Sequence, residues 1–271
     1  PRPRPRATHD GEARMTTGLE LLLPHVPTFA LVLARMTGIF IFAPVFGSSV
    51  VPMRVKALLA LVLTFCVYPI VPAQIPVELN LFTLGFTLGS ELLIGLVIGY
   101  GASLPLVAMQ LAGVMIGHQL GLGLAQVFDP QFNEQTEVLS QFLFLAALAL
   151  FLLLDGHQAM FAALVESYRS VPLGGYMPDG SMLSMILGLL RATFELGLRV
   201  AAPVLCLIFL ETVAMGFVAR TVPQLNILSL GFPLRIIAGM SMLIGMVAAM
   251  FTSLGDVMVV MLGRILELFA A

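Results

Sequence analysis

Six charged residues stand inside tracts that are otherwise apolar: Arg35, Glu91, Glu195, Arg199, Glu211 and Asp256. A charge facing lipid at such depth costs at least about 2.5–3.5 kcal/mol on insertion scales, so such side chains normally face protein, water or one another. Three kinds of chemistry use that situation. Glu91, Glu195 or Asp256 could couple ion movement in a secondary transporter, whose marks are broken helices and midplane charges. The charges could instead form ion pairs within the chain, as Glu195 and Arg199 could from four apart on one helix face. Or they lie buried against neighbouring subunits. Enzymatic signatures are missing: the chain has no H-E-x-x-H, no G-x-S-x-G, no P-loop and no G-x-G-x-x-G. Asp256 follows Gly255 without the second membrane aspartate of a paired-carboxylate site. His118 in GHQLG and His157 in DGHQAM are too isolated to ligate a metal and read as hydrogen-bonded structural histidines. An enzyme, a metal or a cofactor is therefore not expected.

The elements that position these residues follow from composition. Of 271 residues, 59% are hydrophobic and 10% charged, and mean hydropathy is +1.03; soluble domains carry about 25% charge. The chain belongs in a bilayer or in a membrane assembly. Six apolar stretches approach the ~20 residues that a bilayer core requires, near 28–46, 55–75, 81–117, 138–154, 186–218 and 234–262. The third, fifth and sixth are long enough for bent or paired helices. No strand-type alternation is sustained, so the class is all-α: membrane-associated helical hairpins and kinked helices. Pro44, Pro52, Pro69, Pro72 and Pro76 mark helix ends or kinks. Gly89, Gly95, Gly99 and Gly101 recur at near-helical spacing, where small residues permit close helix contact.

Residues 1–14, PRPRPRATHDGEAR, read as a disordered leader or as sequence upstream of a start at Met15, with one helical domain over 15–271. A signal peptide is not expected, because no short apolar stretch with a small-residue cleavage site follows. Net charge is −2, which gives no reason to expect nucleic-acid binding. Cys66 and Cys206 sit in apolar tracts and are expected as buried thiols without a disulfide.

Four segments together resemble one family. They are RMTGIFIFAPVFGSSVVPMRVKALLAL (35–61), AGVMIGHQLGLGLAQVFDP (112–130), DGHQAMFAALVESYRSVPLG (155–174) and PQLNILSLGFPLRI (223–236). In order and spacing they resemble the FliR family of flagellar export-gate proteins, whose close relatives serve virulence type III secretion. The resemblance covers Leu19 to Phe269; His118 and the Pro/Arg leader depart from the family pattern. It implies a fused P-like plus Q-like export-gate protomer that assembles with FliP-like and FliQ-like subunits at the bacterial inner membrane of the flagellar basal body. FlhB-like and FlhA-like components would be further partners, and unfolded flagellar subunits the cargo. Much of the assembly would stand above the bilayer plane, so that Arg35, Glu91, Glu195, Arg199 and Glu211 would be buried against protein.

The resemblance also implies a channel plug between about 120 and 136. The residues suit that role: Gly121 and Gly123 allow unusual dihedrals, Pro130 stops a helix and turns Asp129 extended, and Phe128 and Phe132 supply bulk. The plainer alternative is an inter-helix loop in which Asp129 caps a helix starting at Pro130. Gly156 with His157 reads as a structural turn where a helix starts, and Gly231, Phe232 and Pro233 as a kink or hairpin turn. Pro52, Arg54 and Lys56 read as a polar clamp at the membrane boundary or as a solvated loop.

Overall fold

The structure, a computed structural model, describes residues 25–48, 51–71, 81–122, 138–175, 180–221 and 227–270. Among them are seven α-helices: α1 (His25–Phe42), α2 (Met53–Val67), α3 (Leu81–Leu120), α4 (Val138–Leu153), α5 (Gly156–Ser170), α6 (Gly180–Thr221) and α7 (Ile227–Ala270). No strand occurs among the described residues, so the fold is all-α. Five helical segments are long and apolar enough to cross a membrane, and the α4–α5 pair, bent by 64°, would make a sixth.

Prolines and glycines set the boundaries. α1 ends just before Pro44, which lacks an N–H and pushes Ala43 away from helical dihedrals. The next residue, Val45, takes φ 69, and Phe46 N donates to Pro44 O across it at 2.8 Å. That is a γ-turn with the central residue in the strained, positive-φ form, on a β-branched side chain. Pro52, at φ −57 and ψ 140, precedes α2, and Lys56 Nζ reaches back to Gly47 O at 3.2 Å. Pro69 stands in the 3-10 turn Tyr68–Ile70 that closes α2. α4 passes into α5 through Leu154 and Asp155, the latter at φ 53.

The three longest tracts are each one helix, not a pair, with Pro105, Pro203 and Pro233 inside them. Proline removes one ladder hydrogen bond, yet in apolar helices neighbours and local adjustments satisfy the freed carbonyl. The cysteine expectation needs correcting: Cys66 and Cys206 are free thiols but both are exposed. An apolar tract in a membrane protein is apolar on every face, so hydropathy does not tell an inward side chain from an outward one.

The chain divides into two compact units, one drawn from the described parts of 1–99 and 162–178, the other from 100–161 and 179–267. In the first, α1 lies against α3 at backbone distance. A Cβ on Gly95 would overlap the Arg35 carbonyl oxygen, one on Gly99 would stand 2.6 Å from Ile39 O, and one on Gly38 would overlap Leu92 O. Leu31, Val32, Met36, Ile39, Ile94 and Ile98 are fully buried around that approach. In the second unit, Met109, Ile116, Leu143, Phe151, Val204 and Leu254 belong to one core. Gly113 there meets Ser140 backbone, where a Cβ would overlap Ser140 Cα.

Candidate functional site

Arg35 sits in the middle of α1, three residues from Gly38, where the helix is held against α3. Neither Arg35 nor Glu91 exposes any side-chain surface, and Nε of Arg35 donates to Glu91 Oε2 at 2.6 Å. The guanidinium uses two further donors: Nη1 to Ser167 Oγ at 3.0 Å and Nη2 to Val171 O at 3.2 Å. It also lies 4.4 Å from the centroid of the Tyr168 ring, within cation–π range. Tyr168 in turn donates its hydroxyl to Val32 O at 3.1 Å.

The second carboxylate oxygen is equally engaged. Val171, Pro172 and Leu173 lead into Gly174, which takes φ 72, and Gly175 N donates to Pro172 O at 3.0 Å. The third residue of a type II turn needs a positive φ and so favours glycine. The turn aims Gly174 N at Glu91 Oε1, 2.8 Å away. One ion pair therefore fastens α1, α3, the end of α5 and the turn after it. Both charges have hydrogen-bonded partners, which is the condition under which a buried pair is tolerated. Each oxygen of Glu91 thus accepts a hydrogen bond from within the chain.

The remaining charges behave differently. Glu195 and Arg199 pair at 3.0 Å along α6, with side chains 61% and 66% exposed within this chain. Asp256 is exposed on α7. Glu211 accepts from Arg235 Nε at 3.2 Å through Oε2, with side chains 8% and 29% exposed respectively. Arg235 also donates to Thr212 Oγ1 at 3.0 Å. The other Glu211 oxygen, Oε1, is buried and has no hydrogen-bond partner. These residues line a cleft of about 290 Å³ between α6 and α7, together with Met215, Gly216, Ala219, Gly231 and Phe232. Gly231, Phe232 and Pro233 thus lie inside α7 and not in a hairpin turn.

Of the expected plug, Gly121 is described; Gly123, Phe128, Asp129, Pro130 and Phe132 lie outside the described residues. Gly121 takes φ 76. Leu122 N donates to Gly117 O and Gly121 N to His118 O, both at 3.1 Å. This is the Schellman termination, a glycine-dependent stop that satisfies the last carbonyls. Gly156 opens α5, packed so closely on the Phe151 ring that a Cβ would overlap it. His157 departs from the expectation of a hydrogen-bonded histidine: its Nδ1 is buried without a partner. The α4–α5 bend spends its hydrogen bonds elsewhere, on Gln158 Nε2 to Asp155 Oδ1 at 2.9 Å. No cluster of three or more His, Cys, Asp or Glu suited to a metal occurs among the described residues.

Residues 26–261 match the family described as bacterial export proteins, family 1. The chain is 29% identical over 238 residues to the flagellar biosynthetic protein FliR of Buchnera aphidicola, covering 88% of this chain and 92% of that one. It is 31% identical over 211 residues to FliR of Escherichia coli K12, covering 78% and 80%. Against Yop proteins translocation protein T of Yersinia pestis it is 26% identical over 211 residues, covering 77% and 81%.

Proposed function

This chain belongs to the bacterial export proteins, family 1, and from that premise we propose that it is a channel subunit of a flagellar type III export gate. It passes unfolded flagellar subunits across the inner membrane and performs no chemistry of its own. The segment from Gly121 to about 136 plugs the channel at rest. FliP-like and FliQ-like subunits surround it at the basal body, with FlhB-like and FlhA-like components nearby.

The observation that carries this reading beyond the family is helix length. α3, α6 and α7 have 40, 42 and 44 residues, about 60–66 Å at 1.5 Å per residue. A hydrocarbon core is about 30 Å thick, and a helix tilted by 40° would still project about 46 Å. Their apolar spans run 39, 39 and 31 residues. Lipid cannot cover all of that surface. Among the described residues the chain covers these helices unequally: an 18-residue apolar window on α3 is 67% buried within the protein, whereas those on α6 and α7 are 22% buried. Neighbouring subunits are the cover that this surface calls for.

The transporter reading finds less support. Glu91 has both oxygens occupied, Glu195 is paired at the surface, and Asp256 is exposed. Co-expression with FliP-like and FliQ-like proteins tests the choice. A gate subunit co-purifies with both in mild detergent and restores flagellin secretion to a strain lacking its own FliR. Stable behaviour alone, with no complex and no secretion, would overturn the gate reading.

A further inference from the structure

The Glu211 side chain is 8% exposed, yet one of its carboxylate oxygens accepts nothing. A buried acceptor left unsatisfied costs about 1–3 kcal/mol and more when charged, so the group calls for a donor. The cleft it lines shows what kind. Besides Glu211, its partner Arg235 and Thr212, the walls are Met215, Gly216, Ala219, Gly231 and Phe232, apolar and in three cases small. A Cβ added at Gly216 would find no atom within 4 Å. Small residues on an otherwise bare helix face let another helix backbone come close.

Resting on the gate reading, the geometry points to a docking cleft for an apolar helix of a neighbouring gate subunit. That helix inserts an uncharged donor, a Ser, Thr, Asn or Gln, against Glu211 Oε1. Charge decides the type of donor. Glu211 and Arg235 are already neutral as a pair; a second cation would leave net positive charge among apolar walls, where burial of charge is costly. A hydroxyl or amide satisfies Oε1 and keeps the site neutral. Thr212 and Gly216 at the cleft are exposed within the chain, as are Val213 and Phe217 beside them, so the occupant meets an open face.

The test uses the full chain co-expressed with its gate partners, with Phe232 replaced by photoreactive p-benzoylphenylalanine. Illumination is expected to give an adduct with a partner subunit, mapping within one helical turn of a Ser, Thr, Asn or Gln. Adding Glu211→Gln keeps an oxygen for Arg235 but turns a donor toward the partner; adduct yield should fall about tenfold. Gly216→Leu, at a position where an added Cβ meets no atom of the chain, should abolish the adduct while leaving the abundance of the chain unchanged. An intact complex with no adduct, or an adduct at a Lys or Arg, overturns the docking cleft and leaves the gate reading standing. An adduct insensitive to Glu211→Gln overturns the role of Oε1. Failure to recover any complex overturns both.

Discussion

Arg35 Nε and Glu91 Oε2 lie 2.6 Å apart, and neither side chain has any exposed surface. Removing one partner leaves the other charge buried and unpaired, which costs about 3–5 kcal/mol. Arg35→Ala and Glu91→Ala are each expected to reduce abundance in the membrane and to lower the thermal midpoint in detergent sharply. Replacing both together, with Met at 35 and Leu at 91, should recover much of the loss. Equal loss in the double and single variants would show that the pair's value lies in its bonds to Ser167, Val171 and Gly174.

Gly95 and Gly89 make a matched comparison on one helix. An added methyl at Gly95 would strike the Arg35 carbonyl, whereas Gly89 has open space. Gly95→Ala should cost about 1–3 kcal/mol through forced separation of α1 and α3. Gly89→Ala should be neutral or stabilising by up to about 1 kcal/mol, from helix propensity alone. Thermal midpoints of the two variants side by side check the contrast; equal shifts would count against backbone contact.

Arg199→Ala separates the chain from its assembly. The Glu195–Arg199 pair is more than half exposed, and exposed helical pairs contribute about 0.3–0.5 kcal/mol. The stability of the chain alone should barely change. If a neighbouring subunit covers the pair, complex yield and secretion fall together while chain abundance holds. Unchanged complex yield would assign Glu195 and Arg199 to an uncovered face.

Deleting Gly123 to Asn133 should leave a complex that assembles but leaks ions and small solutes across the inner membrane, because a hydrophobic constriction closes a pore by filling or dewetting it. Phe128→Ala with Phe132→Ala should leak less than the deletion and more than wild type. Gly121→Val, at φ 76, should disturb the stop of α3 and shift the same readout. A tight membrane with the deletion in an assembled complex means that the segment only connects helices.

The helices were legible because a bilayer demands long apolar runs, and six tracts coincide with the observed segments. Which side of a helix faced inward was not, since lipid-facing and core-facing residues share a composition; Cys66 and Cys206 show it. The sequence singled out Arg35 and Glu91 as charges out of place, but nothing across their separation of 56 positions linked them. Ser167 and Tyr168 fall within a recognisable motif, yet a Ser-Tyr at a helix end does not announce that it will hold an arginine. Arg235 was missed as the partner of Glu211, because the pair closes across the ends of two helices, 24 residues apart, beyond any single-helix spacing rule.

The separation of Arg35 from its partners also sets a schedule. Glu91 follows it by 56 residues and Ser167 by 132. At about 5–20 residues synthesised per second, the arginine waits roughly 3–11 seconds for its carboxylate and 7–26 seconds for the serine. Throughout that interval a bare guanidinium sits halfway along a newborn apolar helix. Facing lipid it would cost about 2.5–3.5 kcal/mol on insertion scales until α3 emerges, so the order of translation is part of how this pair forms.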